Sequence, residues 1–159
     1  METQIIEIYT DGSCNSNFEI GAWAAIIFID NEKVLLNGVQ ENTTHNRMEL
    51  IAVIEAINYV LKMQSKIGLI RIFTDSQYVA GIPLRAEKLI SKKFVTKKGK
   101  NIQNIDLIKT FISLIRQSNI EFVKVKAHQK LSDTVNYNRE VDKLARKLVR
   151  KEISKITPD

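Results

Sequence analysis

Tyr9-Thr10-Asp11-Gly12-Ser13-Cys14 is the stretch at which an alternating run of apolar and polar residues, residues 5–9, comes to an end. Alternation of this length predicts a half-buried strand, and Asp11 followed by Gly12 is typical of a turn. We therefore expect a strand that ends by presenting one carboxylate near the edge of the core. An Asp before a Gly more often belongs to a turn than to an active site, so Asp11 gains significance only if further acids occupy similar positions.

Length and composition favour one domain spanning residues 1–159, with a core of about residues 4–151 and a polar C-terminal tail. Contents of 44% hydrophobic and 26% charged residues are typical of a soluble globular protein. No apolar run approaches the roughly 18–20 residues that span a bilayer, and the N-terminus lacks the pattern of a signal peptide. The single cysteine, Cys14, cannot form an internal disulfide, which suits a reducing compartment. We therefore expect a cytoplasmic protein without membrane association.

The net charge of +6 is unevenly distributed along the chain. Residues 85–100, here called the basic segment, contain one acid and seven basic residues: Arg85, Lys88, Lys92, Lys93, Lys97, Lys98 and Lys100. Their net charge equals that of the whole chain. A compact basic patch is the electrostatic footprint of a protein that binds phosphate backbones, but a solvated lysine-rich loop has the same composition. Charge alone leaves both interpretations open.

Apolar patterning predicts a single α/β domain with a mixed sheet. Strands are predicted at residues 5–9, 20–29, 33–39, 69–73 and 120–125, and helices from Thr43 or Thr44, from about Gln77 to Pro83, over residues 102–117 and around residues 141–148. The first three strands are joined by short turns, which is typical of an antiparallel meander. The fourth follows a helix, which implies that it pairs in parallel with the first. The tail from Lys151 is polar and is expected to fray.

Three further acids occupy positions comparable to that of Asp11. Asp75 follows a second strand that ends in Thr-Asp, where it could also cap the next helix. Glu49 and Asp142 are predicted near the starts of helices, where an acid is often structural. Sites in open α/β sheets lie beyond the carboxyl ends of parallel strands. Asp11 and Asp75 are therefore expected to point into one crevice.

A cluster of four carboxylates is costly unless something neutralises it. Oxygen ligands in this number suit Mg²⁺ or Mn²⁺ rather than zinc, because cysteine and histidine are scarce. Two such ions about 4 Å apart form the arrangement that assists in-line displacement at phosphorus. Together with the basic segment, the acids indicate a metal-dependent nuclease or phosphoryl-transfer enzyme.

The sequence resembles type 1 ribonuclease H over about residues 5–150. The matching segments, in family order and near-family spacing, are Thr10-Asp11-Gly12-Ser13-Cys14, Thr44-His45-Asn46-Arg47-Met48-Glu49-Leu50, Thr74-Asp75-Ser76-Gln77-Tyr78-Val79, Asn104-Ile105-Asp106-Leu107, Val125-Lys126-Ala127-His128 and Val141-Asp142-Lys143-Leu144-Ala145. The resemblance implies a ribonuclease H-like fold: a five-stranded mixed sheet in the order 3-2-1-4-5, flanked by helices. It also implies hydrolysis of the RNA strand of an RNA–DNA hybrid, leaving 5′-phosphate and 3′-hydroxyl ends.

The resemblance also assigns the catalytic residues. Asp11 would bridge two Mg²⁺ ions, for which Mn²⁺ could substitute. Asp142 would share the ion that prepares the attacking water, while Glu49 and Asp75 would hold the second. His128 corresponds to a mobile histidine that assists product release or proton movement.

Substrate contacts follow from the same resemblance. The expected substrate-binding residues are Gly12, Ser13, Cys14, Asn17, Thr44, His45, Asn46, Gln77, Lys92, Lys93, Lys97, Lys98 and Asn104. Within this set, five side chains resemble minor-groove contacts, some of which read 2′-hydroxyls: Cys14, Asn17, His45, Asn46 and Gln77. Thr44 and Asn104 resemble a pocket for a phosphate of the DNA strand, and the basic segment resembles the family's basic protrusion.

Some positions depart from the family pattern. Asn42 stands where an arginine often completes the phosphate pocket, and His45 stands where asparagine is common. The basic segment lacks the usual tryptophans, and the interval from His128 to Asp142 is longer than in many cellular members. These departures concern affinity and turnover more than chemistry.

The expected protein is a free-standing, monomeric ribonuclease H with no obligate protein partner. One alternative is the ribonuclease H domain of a reverse transcriptase or other mobile element. The other is a non-catalytic module that binds nucleic acid, in which the acid cluster would be vestigial.

Overall fold

Five strands and four helices make up the described part of the chain. The computed structural model describes residues 4–63, 66–126 and 136–157. Its strands are β1 (Ile5–Asn15), β2 (Ile20–Ile29), β3 (Glu32–Gln40), β4 (Leu69–Thr74) and β5 (Ile120–Lys124). Its helices are α1 (His45–Met63), α2 (Gln77–Ser91), α3 (Ile105–Gln117) and α4 (Tyr137–Ile156).

The strands form one mixed sheet in the order β3-β2-β1-β4-β5. β1, β2 and β3 pair antiparallel, and β4 and β5 continue the sheet in parallel with β1. The predicted fold class and strand order are confirmed. Helices cover both faces: α1, α2 and α3 share the larger apolar cluster with the sheet, whereas α4 packs on the opposite face against Ala24 and Ile26 of β2.

β1 is longer than the sequence predicts. The strand was expected to turn at Asp11-Gly12, yet it continues to Asn15, with Asp11 paired to Ala24 of β2. Its parallel pairing with β4 ends earlier, at Tyr9. The expected turn is wrong because the long apolar strand β2 pairs with β1 from Glu7 to Asn15 and keeps the Asp-Gly pair extended. Asp11 therefore lies just beyond the last residue that β1 pairs with β4.

Gly12 serves close packing rather than a turn. A β-carbon at this position would lie 2.6 Å from the backbone nitrogen of Glu49 and 2.7 Å from the carbonyl carbon of Met48. Real side chains do not tolerate such distances, so a residue without a side chain is required where α1 crosses β1. This close approach brings Glu49 beside Asp11.

The start of α1 agrees with the predicted cap at Thr43 or Thr44, but the acids of α1 and α4 lie deeper in their helices than expected. Because α1 begins at His45 and α4 at Tyr137, Glu49 and Asp142 lie in second helical turns rather than first turns. Thr44 caps α1: its hydroxyl oxygen accepts a hydrogen bond from the backbone N–H of Arg47 at 3.2 Å. Neither acid is therefore required to satisfy a helix end.

Helix α2 continues past the residue expected to end it. Pro83 lies inside the helix, which extends to Ser91. A proline removes one backbone hydrogen bond, but Val79, Ile82 and Ala86 are buried in the core and hold the segment in helical form. Part of the basic segment is consequently helical rather than a loop.

The far end of the chain is also more ordered than expected. Helix α4 extends to Ile156, so the fraying predicted from Lys151 is wrong over this part of the tail. Within residues 4–63, 66–126 and 136–157, no helix combines the length and apolar character that crossing a membrane demands.

Gly12→Ala should destabilise the fold by about 1–3 kcal/mol, because the added methyl group forces α1 away from β1. Urea unfolding measures this change. Gly81→Ala is the matched control: a β-carbon there meets no atom within 4 Å, and replacing a helical glycine gains about 0.5–1 kcal/mol. An unchanged free energy of unfolding in Gly12→Ala would contradict the close packing of α1 on β1.

Candidate active site

Three acids from different elements meet at one end of the sheet. Asp11 lies on β1, Glu49 on α1, and Asp75 directly after β4. One carboxylate oxygen from each lies within 4.8 Å of the other two. Asp11 and Glu49 are buried, with exposed fractions of 5% and 1%. The structure thus brings together three of the four predicted acids in a geometry that could hold a metal ion.

The acids open into a cavity of about 360 Å³. It is lined by Asp11, Gly12, Ser13, His45, Glu49, Asp75, Ser76, Asp142 and Arg146. The fourth predicted acid therefore faces the same cavity from α4, outside the tight group of three. A guanidinium nitrogen of Arg146 lies 3.7 Å from a carboxylate oxygen of Asp142, one helical turn earlier.

Asp75 is not the residue that caps α2. Sequence alone allowed it to be the cap, but the hydroxyl oxygen of Ser76 accepts the hydrogen bond from the Val79 N–H, at 3.1 Å. The Asp75 carboxylate is thereby left to face the cavity. The interpretation of Asp75 as a helix cap is therefore wrong, and a role in the cavity is favoured.

The pKa values of Asp11 and Glu49 are both raised in the fold. Burial is the main cause for Asp11, and the charges of Glu49 and Asp75 and contacts with Glu49 and Asp142 raise its pKa further. Burial also raises the pKa of Glu49; the Asp11 side chain and the Gly12 N–H oppose this, and Asp75 adds to it. Like charges in a buried site favour the neutral form. The site therefore requires either protons or a cation.

The donors fit a hard divalent cation. Oxygen Oε2 of Glu49 is buried without a hydrogen-bond partner, which is costly in a folded protein unless another ligand satisfies it. The neighbouring ligand atoms are carboxylate oxygens, which Mg²⁺ and Mn²⁺ prefer. A cation here would neutralise the buried charges and satisfy the unpaired oxygen.

His45 lies in the cavity and contacts an acid. Its Nε2 is 3.0 Å from Oε1 of Glu49. The sequence predicts a minor-groove contact for this residue, and its side chain is 62% exposed. The contact with Glu49 was missed, although a spacing of four residues on a helix places two side chains on the same face.

Of the remaining predicted contacts, two line the cavity and the others differ in exposure. Gly12 and Ser13 line it, and Asn17, Asn46 and Gln77 are exposed. Cys14 is half-buried, and its thiol lies 3.5 Å from the carbonyl oxygen of Thr43, to which it donates. His128 lies outside the described residues, so its predicted role stays a prediction.

The two residues of the predicted phosphate pocket are joined through Arg47. Its backbone N–H donates to Thr44, and its guanidinium donates to Oδ1 of Asn104 at 3.3 Å. The same guanidinium forms two bonds with Asp106, at 3.0 and 3.1 Å, which lower the pKa of that carboxyl. Asn104 also donates to the hydroxyl of Tyr78 at 3.0 Å. Thr44 and Asn104 are consequently held on one surface.

Sequence reasoning left several of these residues unassigned: Arg47, Ser76, Tyr78, Asp106 and Arg146. Four of them lie inside the segments that carry the family resemblance, but the resemblance assigns roles only to neighbouring residues. Arg146 follows Asp142 by four residues on a helix, and this spacing was the available signal.

Strand order and acid positions together define an α/β protein with a ribonuclease H-like fold and an acidic, metal-suited site. A model of the RNase H family matches residues 3–150. The chain belongs to the RNase H family and is a nuclease of the ribonuclease H type.

Relatives of similar length support the assignment. A ribonuclease H of Wolbachia sp. subsp. Drosophila simulans is 39% identical over 150 residues, which cover 94% of this chain and 98% of the relative. A ribonuclease H of Methylobacillus flagellatus is 42% identical over 130 residues, with 80% and 83% covered.

Two solved structures share the fold. One is LC9-RNase H1, described as a type 1 RNase H with the type 2 active-site motif. It has a TM-score of 0.76 at 21% identity over 95% of this chain and 74% of the other. The second is a foamy viral protease-reverse transcriptase in complex with dsDNA, with a TM-score of 0.68 at 20% identity and coverage of 91% and 92%. Identities this low support the fold alone.

Asp11→Asn should stabilise the metal-free protein, and more so as the pH rises. The pKa of Asp11 is raised in the fold, so its contribution to stability is complete below the ordinary value of 3.8 and is lost as the pH rises toward the raised value. The variant cannot ionise here. We expect a gain on the order of 1–3 kcal/mol at pH 8.5, and a smaller one at pH 5.

Calorimetry in the presence of a chelator measures this difference at both pH values. Asp106→Asn is the control of opposite sign, because Arg47 lowers the pKa of Asp106, so its removal should weaken the fold at neutral pH. An equal effect of Asp11→Asn at the two pH values would contradict the repulsion among the buried acids.

Proposed function

We propose that this chain is an endoribonuclease that hydrolyses the RNA strand of RNA–DNA hybrids and leaves 5′-phosphate and 3′-hydroxyl ends. The observation that carries the proposal is the group of carboxylates from Asp11, Glu49 and Asp75, with oxygens within 4.8 Å of one another. The unpartnered oxygen of Glu49 supports it, because a vestigial site would not retain this cost.

Two Mg²⁺ ions are the proposed cofactors, with Mn²⁺ as a substitute. Asp11 would contact both, Asp142 would share one, and Glu49 and Asp75 would share the other. Bound there, the ions would supply an activated water and neutralise the charge on the leaving oxygen. The division of these four acids between two ions is part of the proposal.

The residues that line the cavity would position the cations and the phosphodiester. The buried walls around Asp11 and Glu49 keep the carboxylates out of bulk water, which strengthens their pull on a cation. Gly12 and Ser13 line the cavity, and the absence of a side chain at Gly12 lets the backbone of α1 bring Glu49 close to Asp11. Arg146 adds a positive charge at the same rim, beside Asp142. A phosphodiester would therefore meet a cavity with both acidic and basic walls.

Recognition of the hybrid would use the exposed polar residues around this cavity. Asn17, Asn46 and Gln77, which are exposed, would read the minor groove, where 2′-hydroxyls distinguish RNA from DNA. Thr44 and Asn104, joined through Arg47, would hold a phosphate of the DNA strand. Here the guanidinium of Arg47 is engaged by Asp106, so the pocket has less positive charge than one completed by an arginine at position 42.

The basic segment would bind the backbone away from the cavity. Its lysines Lys92, Lys93, Lys97 and Lys98 are exposed, and within the described ranges none of them forms an ion pair with an acid. Unpaired exposed lysines release counterions when they neutralise phosphates. The phosphate-binding interpretation is therefore favoured over that of a solvated loop.

We further propose a reducing cytoplasm, on the ground that Cys14 is the single cysteine, and a monomer with no obligate protein partner. The alternative is that the chain is the ribonuclease H domain of a reverse transcriptase or other mobile element. Binding of nucleic acid without catalysis is less favoured, because the four acids face one cavity.

Asp11→Asn should reduce cleavage of a labelled RNA–DNA hybrid by at least about 10³-fold, because it removes a charge shared by both proposed ions. Cleavage by the unmodified protein should stop when a chelator is added and return with Mg²⁺, while duplex DNA stays intact. Glu41→Gln, which changes an exposed acid outside the cavity, is the matched control and should retain activity. An active Asp11→Asn protein would refute the metal assignment.

Replacing Lys92, Lys93, Lys97 and Lys98 together with Ala should raise the KM for the hybrid about tenfold or more and leave kcat nearly unchanged. The dependence of log KM on log salt should flatten by about 3.6, since each of the four lost phosphate contacts removes about 0.9 from the slope. Ala at Lys62, Lys66, Lys124 and Lys147, which are equally exposed, controls for total charge. A large loss of kcat at constant KM would count against this role of the segment.

A further inference from the structure

The contact between His45 and Glu49 is a feature that neither the fold nor substrate binding requires. His45 is the first residue of α1, and Glu49 follows one turn later on the same face. Nε2 of His45 lies 3.0 Å from Oε1 of Glu49. One partner is 62% exposed and the other 1% exposed. An accessible side chain therefore holds an acid that is otherwise enclosed.

The two oxygens of Glu49 are in different states. Oε1 accepts from His45, whereas Oε2 is buried and has no partner among the described residues. The terminal torsion of a glutamate is broad and has no strong intrinsic preference. A hydrogen bond to one oxygen fixes this torsion and so fixes the direction of the other oxygen. The carboxylate is thereby oriented before any ligand arrives.

Residues that orient metal ligands usually do so through a hydrogen bond of this kind. A hydrogen bond to one atom of a ligand side chain sets the position of the atom that binds the ion, and its loss costs about 10–100-fold in metal affinity. Without His45, the Glu49 carboxylate could turn toward Asp11, whose side chain also contacts it. An acid that pairs with its neighbour is less available to a cation.

We propose that His45 is a positioning residue for the metal site, which holds Oε1 of Glu49 so that Oε2 is presented to the cation. This inference rests on the proposed metal-dependent function. It replaces the minor-groove contact predicted for His45 with a role in the cavity, and it assigns a purpose to a histidine at a position where the family commonly has asparagine.

The chain permits a test with closely matched variants. His45→Gln keeps an N–H donor the same number of bonds from the backbone as Nε2, whereas His45→Ala removes the donor. His45 is largely exposed, so both variants should fold, which circular dichroism verifies. Glu41→Gln serves as a control for a nearby change outside the cavity.

The measurement is the affinity of the substrate-free protein for Mn²⁺, read from the electron paramagnetic resonance signal of the free ion at one fixed pH. We expect His45→Ala to weaken Mn²⁺ binding at least tenfold, His45→Gln to stay within about threefold of the unmodified protein, and Glu41→Gln to match it. At saturating Mg²⁺, the KM for an RNA–DNA hybrid should be similar in all four proteins.

Three results would overturn the inference. Unchanged Mn²⁺ affinity in His45→Ala, combined with a raised hybrid KM, would make His45 a substrate contact. Tighter Mn²⁺ binding in His45→Ala would make it a competitor of the cation. Absence of Mn²⁺ binding by the unmodified protein would remove the ligand that His45 is meant to serve. Hybrid cleavage is measured separately, so Mn²⁺ binding without cleavage would refute the proposed function and leave the positioning role supported.

Discussion

The close crossing of α1 over β1 at Gly12 is the constraint on which the site depends. A β-carbon there would lie 2.6 Å from the backbone of Glu49, so the absence of a side chain determines how near the helix can come. That nearness places two carboxylates in a buried space, where burial raises the pKa of both and the charge of Glu49 raises that of Asp11 further. Burial and mutual repulsion make the site unfavourable without a counter-charge, and this is what makes it suitable for a cation.

The sheet supplies the second requirement, which is the alignment of strand ends. β1 leaves β4 after Tyr9 but remains paired with β2 as far as Asn15. This uneven pairing carries Asp11 past the end of β4 on a rigid strand, while Asp75 follows β4 directly. A turn at Asp11, as the local sequence indicates, would have left the carboxylate on a flexible loop. Long-range pairing therefore gives the site a rigidity that local turn signals do not predict.

Features that depend on local sequence were predictable, whereas features that depend on contacts between distant parts of the chain were not. The strands and the set of acids were predictable from periodicity and local motifs, whereas the strand order followed from the family resemblance. The end of β1 was not predictable, since a partner strand overrode the Asp-Gly signal. The predicted end of α2 at Pro83 was wrong for a similar reason, because the burial of neighbours such as Ile82 stabilises the helix beyond this residue. Ser76 and Asp75 are both good caps, and only the folded backbone decides between them.

Charge pairing would explain why the proposed catalytic residues and the proposed backbone-binding lysines differ in their free positive charge. Near the cavity the cations are engaged locally: Arg146 lies beside Asp142, and Arg47 binds Asp106. These pairs leave little unpaired positive charge near the cavity for a long polyanion. The exposed lysines of the basic segment form no ion pair within the described chain, so their charge would remain available for the proposed contact with phosphates. Substitutions in the cavity should therefore alter mainly the rate of cleavage. Substitutions in the basic segment should alter mainly the affinity for the hybrid.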